Sequence, residues 1–332
     1  RFDSAGVLRE DDLGDRFATY DPKQGGDSSR ASLLLDLSHA HEATAGVASG
    51  GEWSLAPFLI HRALRLRQNF TGYLVDPVDG DSTQQVHQAL TLGSNALYRK
   101  PIDWFSRADT LEAGLFLRTD WIEQSERALG SIDDRVLGTN VDAKIRATNA
   151  AGWLDVSLKP IPRLALRGGF RVDGLSYATV DQGGQARSAM GTHVGPKVSV
   201  DVRAIGALHV VASYGEGFRS PQARSLGDGE RTPFTSVRSA ELGVRYREAR
   251  FITASASTFY TTLTGDLVFD PKAARNEPVP GTRRVGLAME YVLTPRDWFV
   301  SSGSATYAHA SFRESDAGYQ QGDLLPYVPQ WV

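Results

Sequence analysis

An all-β fold, part of an antiparallel transmembrane β-barrel, is what this sequence predicts, and three observations predict it. Apolar and polar residues alternate with a period of two through most of the chain. From about residue 99 onward the connections alternate between short and long, as in outer-membrane barrels. The strands, about a dozen of them, run near or above the roughly 9–11 residues that cross a bilayer at a tilt.

The clearest unit spans residues 192–218. Val194, Val198, Val200 and Val202 share one parity, and His193, Lys197, Ser199, Asp201 and Arg203 the other. A tight break at 204–207 precedes Leu208, Val210, Ala212 and Tyr214, which oppose His209, Ser213 and Gly215. This is a hairpin with one apolar and one charged face, followed by a long polar loop at 216–237.

Taken in order, residues 1–30 read mainly as a loop (21–29), with a strand end at the start. Residues 31–38 are the first clear strand, with Ala31, Leu33, Leu35 and Leu37 on one face. Residues 53–67 form one long strand in which Pro57 predicts a bulge or bend. The Asp-Pro and Asp-Gly signals of 69–82 mark a loop. A weakly alternating strand covers 84–99, and 100–108 connects it to 111–121. There Leu111, Ala113, Leu115, Leu117 and Trp121 oppose Glu112, Gly114, Arg118 and Asp120. Residues 123–143 read as a long polar loop, 148–159 as a strand and 160–162 as a turn. Leu164, Leu166, Phe170 and Val172 then oppose Arg163, Arg167, Arg171 and Asp173, before a Gly-rich loop at 176–191.

After the hairpin, Leu242, Val244 and Tyr246 oppose Glu241, Arg245 and Arg247, with a tight turn at 248–250. A Thr/Ser-rich strand covers 251–262 and a long loop 265–282. Val285, Leu287, Met289 and Tyr291 oppose Arg284, Gly286 and Glu290. Residues 295–297 turn the chain into a strand of ambiguous parity at 298–312, and 313–326 is the last loop. The short turns belong to the periplasmic side and the long loops to the extracellular side.

Composition narrows the partners. Lys and Arg number 36 against 39 Asp and Glu, a net charge of −3, and the basic residues are scattered, which argues against nucleic acid. There is no cysteine, hence no disulfide framework and no thiolate metal site. No apolar run approaches the roughly 20 residues of a transmembrane helix. The chain starts at Arg1 without a signal peptide and ends at Val332 without an obvious stop, so it is expected to be an internal piece of a longer protein.

Alternation alone also fits a soluble sheet with one wet face. In a barrel, Arg167, Arg171, Asp173, Lys197, Asp201, Glu241, Arg245 and Glu290 would face a wet lumen, and closure would satisfy every backbone group. Trp121, Tyr214, Tyr246, Tyr260, Tyr291 and Trp298 suit interfacial girdles, and equally suit an ordinary core.

Residues 214–223, YGEGFRSPQA, resemble a signature of TonB-dependent outer-membrane receptors, where a strand enters an extracellular loop. SAELGVR at 239–245, the aromatic strand at 258–269, GTRRVGLAME at 281–290 and LPYVPQ at 325–330 resemble later parts of that family's barrel, in the expected order. Residues 69–84 and 114–120 are similar to it less specifically. The resemblance implies a barrel of about 22 strands with a plugged lumen, of which residues 1–332 would be the barrel domain, incomplete at both ends. No plug domain, TonB-box segment or closing strand is found. The family implies an outer-membrane receptor importing a scarce ligand, such as a ferric siderophore or other metal chelate. It also implies the lipid bilayer and a TonB-type energy-coupling protein, acting through the missing plug, as partners. Phe218, Arg219 and Gln222, with the acidic loop of Asp76, Asp79 and Asp81, are the candidate ligand contacts. Phe218 also reads as loop packing.

No catalytic motif stands out, and neither a cofactor nor a metal site is expected. His39 and His41 lack a third ligand. Asp76, Asp79 and Asp81 lack EF-hand spacing and read as turn formers. Asn69–Phe70–Thr71 is a chance sequon. Gly215–Gly217 is too short to cradle a phosphate, and no Gly-x-Ser-x-Gly elbow occurs. A passive porin, a lipase-like barrel enzyme and a soluble adhesive β-protein remain the alternatives.

Overall fold

Period-two patterning becomes strand throughout the computed structural model, which describes residues 1–3, 14–15, 21–41, 50–69, 72–73, 75–219, 235–248, 251–270, 275–316 and 318–332. The strands are β1 (Phe2–Asp3), β2 (Gly25–Leu34), β3 (Leu37–Ala40), β4 (Glu52–Gln68), β5 (Asp81–Ile102), β6 (Asp109–Gly130), β7 (Val136–Ile161) and β8 (Leu164–Asp181). They continue as β9 (Ala186–Ile205), β10 (Leu208–Arg219), β11 (Thr235–Glu248), β12 (Ile252–Leu263), β13 (Asp266–Asp270), β14 (Arg275–Val279), β15 (Thr282–Arg296) and β16 (Phe299–Phe312). Fourteen of them make one meandering antiparallel sheet, and β13 and β14 form a separate hairpin. Among the described residues β1 and β16 do not pair with each other, so the wall is open, as part of a barrel would be.

The 192–218 hairpin is present in the expected register, with Val202 opposite Val210, Val200 opposite Ala212 and Val198 opposite Tyr214. Gly206 turns it at φ 56°, a left-handed conformation that glycine adopts without strain.

Two expected loops are corrected. Residues 123–143 are the upper parts of β6 and β7, closed by a turn in which Asp134 has φ 58°. Residues 176–191 are likewise the upper parts of β8 and β9, closed at Gly184 with φ 74°. β7 has 26 residues, roughly 85 Å of strand, far more than a bilayer needs. Above the bilayer both faces of these strands would be wet or self-packed, so the alternation fades there although the hydrogen-bond ladder continues. The start of the chain needs the same correction, because residues 25–30 are strand rather than loop.

Pro57 acts on its neighbour. β4 runs through it unbroken, while the strand beside it is interrupted between β2 and β3 at Leu35 and Asp36. The Pro57 carbonyl accepts from Leu35 N at 3.1 Å. Proline has no N–H to return to that side, so the ladder lapses there.

Beyond β16 the chain folds back along its edge. Ala308 N donates to Gln330 O at 2.9 Å, and Thr306 and Val332 exchange bonds of 2.8 and 3.0 Å. The segment at 325–330, read as re-entry into a late strand, instead runs beside β16 without forming a strand of its own.

Candidate functional site

Residues directly opposite in an antiparallel sheet share a face, so the register sorts the side chains. One row reads Leu111, Val156, Gly168, Val198, Tyr214, Ala240, Tyr260 and Val285. The row beside it, on the other face, reads Arg99, Glu112, Asp155, Gly169, Lys197, Gly215, Ser239, Thr261 and Arg284. Large apolar side chains lie bare on the first face, with Leu115 67%, Leu117 54%, Val194 56%, Val198 49% and Leu242 58% exposed. Trp121, Tyr214 and Tyr260 fall on this face toward the end with the long connections, and Tyr98, Tyr246 and Tyr291 toward the other end. Trp298 lies instead in the turn between β15 and β16.

The second face carries all eight charged residues expected to line a lumen, and the structure gathers them into clusters. Asp155, only 2% exposed, accepts Arg167 Nε at 2.6 Å and forms an ion pair with Lys197, whose Nζ lies 2.6 Å from Oδ2. Arg167 also lies 3.6 Å from Glu112, which pairs with Arg99 at 2.6 Å. Arg171 grips Asp173 through two bonds of 2.8 and 2.9 Å, and its guanidinium lies 5.3 Å from the Phe116 ring centroid. Asp201 joins His209 Nδ1 at 2.6 Å and Arg245 at 2.7 Å. Glu290 accepts from Ser255 Oγ at 3.0 Å. Arg167, Lys197 and Glu241 border one open cavity of about 330 Å³, together with Ser199, Ser213 and Ser239. Of the acids that organise this cluster, the sequence puts Glu112 on the polar face of its strand but not among the lumen residues, and Asp155 escaped the sequence reading. The signal was their parity, which matches that of the charged face.

The expected ligand contacts are placed less simply. Arg219 is committed to Asp266, with Nη1 to Oδ1 at 3.0 Å and Nη2 to Gly265 O at 3.3 Å. Asp266, 5% exposed, also accepts from Thr282 Oγ1 at 2.8 Å, Arg284 Nη2 at 2.6 Å and Leu267 N at 2.9 Å. The upper ends of β10 and β15 and the β13–β14 hairpin thus share one carboxylate. Phe218 packs with its ring centroid 5.2 Å from that of His193. Gln222 lies outside the described residues.

In the acidic loop, Asp76 Oδ1 accepts Val78 N and Asp79 N at 3.1 and 3.0 Å. These two bonds, aided by Arg135, hold its carboxyl below the usual range. Asp81, 4% exposed, accepts Val75 N at 2.6 Å and Asp76 N at 3.0 Å. Both are tied to loop backbone, as turn formers would be. Asp79 is exposed.

A family model described as "TonB dependent receptor-like, beta-barrel" matches residues 1–332. Comparison with curated proteins finds no match in sequence. The ferric citrate transporter FecA, in its unliganded form, superposes with a TM-score of 0.75 at 15% identity, over 98% of this chain and 49% of that one. The ferric yersiniabactin uptake receptor FyuA from Yersinia pestis gives 0.68 at 14% identity, over 92% and 47%. The siderophore receptor PiuA from Acinetobacter baumannii gives 0.69 at 11% identity, over 93% and 52%. At these identities the likeness is one of fold, and the chain spans about half the length of these relatives.

Proposed function

This chain belongs to the TonB-dependent receptor β-barrel family, and we propose that it forms part of the wall of an outer-membrane receptor importing a scarce ligand such as a ferric siderophore. The observation that carries this reading is the division of one continuous sheet into a bare apolar face and an ion-paired face. Soluble proteins rarely leave contiguous apolar patches of this extent open to water. A barrel in a bilayer must.

In this reading the apolar face meets acyl chains. Arg167, Arg171, Asp173, Lys197, Asp201, Glu241, Arg245 and Glu290 line the lumen, where they pair with one another or meet a plug. Ligand would be captured at the end bearing the long connections, near Phe218, Arg219 and Gln222 and the loop of Asp76, Asp79 and Asp81. Arg219 would act there by fixing its loop through Asp266. Transport would follow when a TonB-type energy-coupling protein moves the plug. The ligand class is suggested by the relatives, whose names refer to ferric citrate and ferric siderophores. A copper transporter among them, OprC, keeps other metals in view.

The test uses the full-length protein in outer membranes. Energy-dependent uptake of one member of a panel of labelled ferric chelates, abolished by collapse of the inner-membrane proton gradient, supports the proposal. Leakage of small solutes from reconstituted vesicles, without ligand preference or energy, would make it a porin instead.

A further inference from the structure

Across β5, β6 and β7 the apolar face gives way at one row of the sheet, while on β8 it continues one position further to Val180. Directly opposed residues there are His61, Leu90, Trp121 and Arg146. On the side toward the tight turns stand Leu59, Leu92, Leu115 and Leu117, all largely bare. On the other side stand Gln88, Glu123 and Lys144, all exposed. Arg146 therefore marks the level where hydrocarbon would give way to headgroups.

Its electrostatics are unusual for that level. The guanidinium lies 6.0 Å from the Trp121 ring centroid, and among the described residues it has no carboxylate partner. Lys144, on the same face of β7, has Glu123 at 3.2 Å. With His61 and Trp121 these groups border an open hollow of about 460 Å³. An uncompensated cation at the rim of a low-dielectric layer is costly. The anions available there in a membrane are lipid phosphates, which reward each nearby Lys or Arg.

We propose that this outer-face hollow holds the phosphate-bearing headgroup of an outer-leaflet lipid. Arg146 and Lys144 meet the phosphate, and Trp121 packs at the junction of headgroup and acyl chain, where aromatic rings settle. This rests on the apolar face lying in the bilayer, as proposed above.

The experiment uses full-length protein purified in an uncharged detergent, with bound lipid read by native mass spectrometry. Phosphatidic acid is expected to be retained over phosphatidylcholine by about fivefold, roughly the surface-charge worth of one net cation, since Glu123 offsets Lys144. The Lys144→Gln/Arg146→Gln double variant loses that preference, and Arg146→Lys alone keeps most of it. Lys100→Gln/Lys159→Gln, an equal charge change at the opposite end, leaves it unchanged. Heat-modifiable migration on gels confirms that each variant is folded. Equal losses in both double variants, equal retention of the two lipids, or displacement by orthophosphate would overturn the proposal. Recovery of the protein in the soluble fraction without detergent would instead overturn the membrane reading beneath it.

Discussion

Lys197 reaches Asp155 across an intervening strand, at 2.6 Å, over the backbone of Gly169. A Cβ at Gly169 would stand 2.9 Å from Asp155 Oδ2 and 2.4 Å from Leu154 O, so only glycine leaves that path open. Asp155 thereby pairs with Arg167 and Lys197 at once, although it is the only one of the three that is deeply buried.

Removing that carboxylate takes away the ion pair of Lys197 and leaves Arg167 with Glu112 alone, at 3.6 Å. Asp155→Ala is expected to lower stability by roughly 2 kcal/mol, below the full cost of breaking a buried pair because both cations are about half exposed. Lys197→Ala should cost less, and the double variant less than the sum of the two. Urea midpoints of the folded band of the full-length protein, taken as a double-mutant cycle, check this. Strict additivity would mean the pair is not coupled.

Asp266 should behave differently, because it joins an excursion to the wall rather than strand to strand. Asp266→Ala leaves Arg219 and Arg284 without their shared acceptor. The expected result is faster proteolytic nicking between β13 and β14, with the heat-resistant barrel band unchanged. Mass mapping of limited digests reads the cut site. Loss of the barrel band itself would show that the carboxylate supports the wall.

Asp109 provides a pH signature at the foot of β6, just outside the apolar band. Burial opposes its ionisation, yet Ser106 N, Phe105 N and Lys159 N, with the Ser106 hydroxyl, hold its carboxyl down at about 2. An unfolded Asp titrates near 3.9. Its contribution is therefore fully present above about pH 4 and is lost as pH falls toward 2. The midpoint of wild type should decline through that window, and Asp109→Asn should start lower and decline less. Parallel decline of both would remove Asp109 as the cause.

A charge placed on the apolar face should be far worse than the same charge one residue away. Leu242→Arg is expected to cost roughly 2–4 kcal/mol and to reduce assembled protein in outer membranes. Gly243→Arg is no fair control, because a Cβ there meets Ala256 O at 2.8 Å. Ser239→Arg, on the charged face, serves instead and should assemble nearly normally. Comparable losses in both variants would contradict the two-faced reading.

How much of this was legible in advance follows from where residues face two solvents. At Leu111–Trp121 and through Val194–Val202 each face has its own demand, so parity shows in the sequence. At Glu123, Gln124, Ser125 and Glu126 the strand has passed the apolar band, polar side chains point both ways, and the stretch reads as loop although it pairs with β5 and β7. Only turn residues such as Asp133, Asp134, Gly183 and Gly184 marked the true reversals. The partnership of Arg219 with Asp266 was illegible for another reason. It links positions far apart in sequence through a hairpin whose packing no local pattern encodes.

The central claim is that alternate side chains of one sheet meet acyl chains and water. Single nitroxide labels from residue 197 to 202, in full-length protein reconstituted in vesicles, test it most directly through collision with oxygen and with a water-soluble nickel chelate. Oxygen should dominate at 198, 200 and 202, and the chelate at 197, 199 and 201, with a period of two. A reversed pattern, or the same accessibility at all six positions, would contradict the account.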